Sequence, residues 1–114
     1  MTVADPFEDA AAHGLRVEVA EVGDWSPVVL LSEYDRAART IRVCASAVRR
    51  VRAALGDRAA DALIAAAVGH ELYHHEVAEG RLRGGDRAAC ERDAERYARR
   101  RYGATVSRFD GVLR

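Results

Sequence analysis

Val68-Gly69-His70-Glu71-Leu72-Tyr73-His74 lies inside an alanine-rich run that opens after Gly56 and closes before Gly80. With no proline and a single glycine, Gly69, inside it, the run reads as one long helix, capped by Asp57 and reaching to about Glu79. On a helix, residues i and i+4 lie about 40° apart with a rise of roughly 1.5 Å each, so the His70 and His74 imidazoles leave the same face. Two such imidazoles can grip one metal ion. Glu71 sits beside them and does not easily reach the same ion, which leaves its carboxylate free to take a proton from a metal-bound water. That division of labour is what metal-assisted hydrolysis requires, and it makes Glu71 the candidate general base.

A catalytic zinc has three protein ligands and an open position for water, so a third ligand is expected elsewhere in the chain. The last long helix supplies candidates: Asp86 is a good N-cap, the helix runs from Arg87 to about Tyr102, and Gly103 ends it. Within it, Glu91 and Glu95 fall on one face, one turn apart, while Ala94 and Ala98 permit close approach to a neighbouring helix. Glu91 is the candidate third ligand, and Glu95 is placed to receive the free ring N–H of a liganding histidine. Asp93 competes with Glu91 but lies about 200° around the helix from it, and Glu91 is favoured. His75, about 100° around from His74, reads as a solvated residue or one supporting a ligand from behind. His13, at the end of the first helix, reads as a partner for the helix dipole. Tyr73, Tyr97 and Tyr102 read as core or interface residues, although a tyrosine near a metal can donate to an oxyanion. A chance H-E-x-x-H in an alanine-rich helix is the competing explanation, and the matching acidic helix downstream argues against it.

Upstream, Asp5, Pro6 and Glu8 form a helix start, with Asp5 as N-cap and Pro6 at the first helical position, and Gly14 closes that helix after His13. Leu15 to Val22 alternates as a half-buried strand whose pattern shifts after Ala20. Gly23-Asp24-Trp25-Ser26-Pro27 is turn chemistry, and Val28 to Tyr34 is a β-favouring run. A third strand covers Arg39 to Cys44, with Ile41 and Val43 on one face. Three strands joined by short turns imply an antiparallel sheet. Ser46 then caps a helix bearing Val48, Val51 and Leu55, and the tail from Ala104 to Arg114 reads as a strand or coil. The expected fold class is α+β: one domain over residues 1–114, a small three-stranded antiparallel sheet packed against the H-E-x-x-H helix and further helices.

The composition fits such a domain. Of 114 residues, 49% are hydrophobic and 32% charged, which excludes a disordered or collagen-like chain. Formal net charge is +0, which argues against a nucleic-acid-coating protein. The charge is nevertheless uneven: residues 1–35 carry eight acids against Arg16 alone, and the remainder carries 17 arginines against 10 acids. This reads as solvated or mutually paired surface, in preference to a docking face for a charged partner. Cys44 and Cys90 read as small buried hydrophobes, reduced in the absence of an export signal. No run approaches the roughly 20 apolar residues of a membrane span, and a cytoplasmic location is expected.

The two helical motifs together resemble the ImmA/IrrE-like metallopeptidases, a minimal branch of the gluzincin class of zincins. The resemblance rests on Val68-Gly69-His70-Glu71-Leu72-Tyr73-His74 and on Glu91-x-x-Ala94-Glu95-x-Tyr97-Ala98, similar to the family's E-x-x-A-(D/N)-x-(F/Y)-A. It extends over most of the chain, from about residue 6 to residue 102, in the order short helix, small sheet ending in Ile41-Arg42-Val43, helix, metal helix. It implies a zincin-like fold with one zinc ion held by His70, His74 and Glu91, and Glu71 as general base. Two positions depart from the pattern: Tyr73 stands where the family commonly has a small residue, and Glu95 replaces Asp or Asn.

The expected function is therefore a cytoplasmic zinc-dependent endopeptidase. Its partner is a protein or peptide substrate, and the resemblance implies an intracellular regulatory protein such as a transcriptional repressor, with no direct nucleic-acid or membrane partner. The alternative is a non-catalytic, metal-binding regulatory module with a zincin fold, against which an intact Glu71 counts. A 2-His-1-carboxylate iron oxygenase has no need of Glu71 between its histidines.

Overall fold

A computed structural model describes residues 3–21, 24–25, 28–29 and 31–113. Helix α1 (Pro6–Ala12) starts as expected, with Asp5 Oδ1 accepting a hydrogen bond from the Phe7 N–H at 2.9 Å. Strand β1 (Arg16–Ala20) follows, then the two-residue strands β2 (Asp24–Trp25) and β3 (Val28–Val29), which pair antiparallel with each other. Gly23, Ser26 and Pro27 of the expected turn lie outside the described residues. Strands β4 (Ser32–Asp35) and β5 (Thr40–Cys44) form a hairpin that leads into helices α2 (Ala45–Leu55), α3 (Asp57–Ala78) and α4 (Arg87–Tyr102). The chain closes with a 3-10 turn (Val106–Phe109) and helix α5 (Asp110–Leu113).

The architecture is α+β, but the sheet is mixed, correcting the expected antiparallel meander. Its order is β1-β5-β4: β4 pairs antiparallel with β5, whereas β1 pairs parallel with it, Arg16 opposite Thr40 through Ala20 opposite Cys44. The reason is burial. Ile41 and Val43 are fully buried, and Thr40 and Cys44 are buried with them, so β5 belongs at the centre and must separate β1 from β4. Because the chain returns along β4 before entering β5, β1 and β5 run the same way. Strand alternation identifies the strands without identifying their neighbours.

Three boundaries also differ. Cys44, not Ser46, precedes the first turn of α2, and Ser46 Oγ donates instead to Glu21 Oε2 at 2.8 Å. Gly56, with φ of 96°, joins α2 directly to α3, so Asp57 is the first residue of α3 and pairs backwards with Arg52 at 3.0 Å. The tail is helical where a strand or coil was expected. Val106, Phe109 and Val112 recur every third residue and pack on the core, the spacing that puts side chains of a tight helical turn on one side.

On the inner face of the sheet, register sets what meets α3. Ser32 lies opposite Val43 and Tyr34 opposite Ile41, so both share the buried face. Their spacing along the strand, two residues at about 3.4 Å, nearly matches one helical turn of four residues at about 1.5 Å. Ser32 therefore meets Glu71 and Tyr34 meets His75, at 2.6 and 2.8 Å. The outer face is polar, with Arg42 donating to Glu33 and Asp35 and facing Glu18 across the three strands.

Helices α3 and α4 approach closely because small residues line the seam: Ala66, Gly69, Ala94 and Ala98. A Cβ on Gly69 would lie 2.7 Å from Tyr102 Cδ2 and 3.4 Å from the Ala98 methyl. The Tyr102 ring is buried and its hydroxyl donates to Asp9 Oδ2 at 2.8 Å, so it has little room to give. Gly69→Ala is accordingly expected to destabilise the fold by about 1–3 kcal/mol despite the better helix propensity of alanine, as read by urea denaturation. A neutral or stabilising result would mean that α4 can shift outward freely. No helix among the described residues is long and apolar enough to cross a membrane.

Candidate metal centre

The close seam brings α4's first turns over the middle of α3, where His70 and His74 project. The two oxygens of the Glu91 carboxylate face the two histidines separately: Oε2 is 3.0 Å from His70 Nε2, and Oε1 is 3.1 Å from His74 Nε2. One donor atom from each of the three residues lies within 4.8 Å of the others. His70 is buried, His74 half-buried and Glu91 exposed, so the cluster is walled by protein on one side and open to solvent on the other.

Behind His70, the Nδ1 atom lies 3.2 Å from Glu95 Oε1. An ionised carboxylate only accepts, so Nδ1 carries the proton and the neutral ring is left with its lone pair on Nε2. That lone pair then points at Glu91 Oε2, an unfavourable meeting of two electron-rich atoms. A proton shared between the two atoms, or a cation in its place, resolves it. Two imidazole nitrogens and a carboxylate are donors that suit a divalent transition metal, so His70, His74 and Glu91 fit such an ion and could hold it.

Glu95 is itself fixed by the tail, accepting a 3.4 Å hydrogen bond from the Ser107 N–H on its other oxygen. Its extra methylene relative to aspartate is thus accommodated without losing contact with His70. Glu95→Ala is expected to weaken metal affinity by about 10 to 100-fold without abolishing binding, measured by titration against a competing chelator. Unchanged affinity would reduce Glu95 to a surface charge, and complete loss would promote it to ligand.

Glu71 is buried at 6% exposure on α3, and Ser32 Oγ donates to its Oε2 at 2.6 Å. Burial pushes its carboxyl above the usual carboxylate range, against the pull of the Ser32 hydrogen bond and the His70 and His74 rings. A carboxylate with one oxygen tied by a hydroxyl and a raised proton affinity is suited to accept a proton on the other oxygen.

The structure separates Asp93 from this cluster. Asp93 instead lines a groove of roughly 580 Å³ together with Tyr73, Tyr97, Arg96 and Arg100. Tyr73, Tyr97 and Tyr102 form a ladder along the helix seam with ring centroids 5.8 and 5.9 Å apart, the interface role expected of them. His75 is not solvated: it is 1% exposed, its pKa is held low by burial, and it hydrogen-bonds Tyr34. Cys44 and Cys90 are both free, Cys44 buried as expected and Cys90 only half-buried, because its Sγ faces the Gly84–Gly85 loop outside the core.

Ser32, Tyr34 and the Ser107 amide are the contacts that motif reading did not find. The only signal for the first two is the alternation that puts polar residues at two inward positions of one strand. No protein-family model, curated protein or solved structure matches the chain.

Proposed function

We propose that this chain is a minimal zinc-dependent endopeptidase of the zincin type, similar to the ImmA/IrrE-like metallopeptidases, with His70, His74 and Glu91 holding one zinc ion. The observation that carries the reading is the meeting of His70, His74 and Glu91 at a solvent-open edge, beside a buried Glu71 that is not among the three. A purely structural metal site has no use for that fourth group.

The ion, when bound, supplies Lewis acidity that polarises a carbonyl oxygen and acidifies a water. Glu71 takes the proton of the attacking water on the oxygen that Ser32 leaves free, then returns it to the leaving amine nitrogen. Ser32 holds the Glu71 carboxylate in place, and Glu95 holds the His70 ring. Among the described residues β4 pairs with no strand but β5, and it is the strand whose Ser32 touches Glu71. Strand addition there would lay a peptide beside the proton acceptor.

The resemblance suggests a cytoplasmic regulatory protein, such as a transcriptional repressor, as substrate. Incubating the zinc-loaded chain with a mixture of unfolded peptides, with and without chelator, tests the activity. Cleavage that disappears with the metal and returns on its restoration is expected. Persistent absence of cleavage with one zinc bound would favour a non-catalytic metal-binding module.

A further inference from the structure

On the opposite side of α3 from Glu91, His13, His75 and Glu76 form a second group whose donor atoms lie within 4.8 Å of one another. We propose that these three residues are a second divalent transition-metal site, clamping the end of α1 to α3 and occupied in competition with the Arg81 side chain.

The argument begins with proton bookkeeping. One guanidinium nitrogen of Arg81, Nη2, lies 3.3 Å from His13 Nδ1, 3.3 Å from His75 Nε2 and 2.9 Å from Glu76 Oε1. Arginine has only donors, so both ring nitrogens present lone pairs to it. His75 must then carry its proton on Nδ1, which donates to Tyr34 Oη at 2.8 Å, and His13 carries its own on Nε2, facing Glu76 at 3.5 Å. Two imidazole lone pairs and a carboxylate oxygen thus converge on one positively charged point. The nitrogen there has two hydrogens for three acceptors, whereas a metal ion would engage all three.

The surroundings are those of a ligand set. His75 is fully buried, and its tautomer is held by Tyr34 from behind, much as Glu95 holds His70. Arg81 is the movable member: its side chain is 47% exposed and lies just past the end of α3, so it can swing into water on giving up its two 2.9 Å hydrogen bonds to the Glu76 carboxylate. Two imidazoles and one carboxylate suit zinc, cobalt(II) or nickel(II) better than magnesium or calcium, and solvent beside Arg81 and His13 can complete the coordination. Arg81 must leave and the donors must close by about 1 Å to reach ordinary metal–ligand distances, so this site is expected to bind more weakly than the first.

Equilibrium dialysis against Zn2+, with metal counted per chain by elemental analysis, tests the proposal in the full-length protein. Arg81→Gln removes the competing charge and is expected to tighten the second equivalent by about tenfold. His13→Ala, in either the parent or the Arg81→Gln background, is expected to lose that equivalent while keeping the first. Filling the second site should also raise the melting temperature of Arg81→Gln and not that of the double variant. Glu91→Ala separates the two sites, because it removes the first equivalent and leaves the second. A second equivalent that Arg81→Gln binds no more tightly than the parent, or one that survives His13→Ala, overturns the assignment whatever becomes of the first site.

Discussion

Glu71→Gln is expected to hold zinc and fold like the parent while losing peptide hydrolysis by about 10²–10⁴-fold, the range spanned by general acid–base groups. Glutamine keeps the side chain's length and still accepts the hydrogen bond from Ser32, so the packing of β4 on α3 should survive. What disappears is the ionisable oxygen that receives the proton of the attacking water. Metal content and urea stability are the controls, since neither depends on that oxygen in the proposed mechanism. Full activity in this variant would remove Glu71 from the reaction and with it the zincin mechanism. Loss of zinc would make Glu71 a ligand, contrary to its position beside the cluster and not within it.

The parts of this architecture that were legible in the sequence are those set by local rules. The i, i+4 spacing of His70 and His74 and of Glu91 and Glu95 needs only helical geometry, and α4 runs from Arg87 to Tyr102 between the Asp86 cap and the left-handed Gly103, as expected. That Glu91 and not Asp93 meets His70 and His74 follows the same periodicity, since Glu91 shares a face with Ala94, Glu95 and Ala98.

Non-local facts were not readable. The parallel pairing of β1 with β5 depends on which strand is buried on both sides, and that depends on every element packed around it. Ser46 looked like a helix cap because serine at such a position commonly is one, yet a partner from the β1 end, Glu21, claims its hydroxyl. On a helical wheel His75 read as solvated or as supporting a ligand from behind, but the end of α1 and β4 cover that face with His13 and Tyr34, residues 62 and 41 positions away in the chain. A wheel drawn for one helix cannot show what another segment lays on it.

Glu91→Ala is expected to abolish stoichiometric zinc at the His70–His74 centre, and Asp93→Ala to leave it intact. The structure gives the two acids different neighbours. The Glu91 oxygens lie 3.0 and 3.1 Å from the two histidines, whereas Asp93 lies in the groove with Tyr73 and has Arg96 at 3.9 Å. Removing Glu91 leaves two imidazoles, and solvent does not replace the carboxylate charge. Apportioning the roughly 10–16 kcal/mol of a four-ligand zinc site evenly suggests a loss on the order of 3 kcal/mol, or roughly two orders of magnitude or more in affinity. Because Glu91 is more than half exposed at its side chain, its truncation should cost the fold little, which separates a ligand effect from unfolding. Competition with a chromophoric chelator, run beside a thermal melt of each apo variant, reads both quantities. Equal affinities for Glu91→Ala and the parent, with a loss in Asp93→Ala, would mean that α4 binds in a register rotated from the one this structure displays.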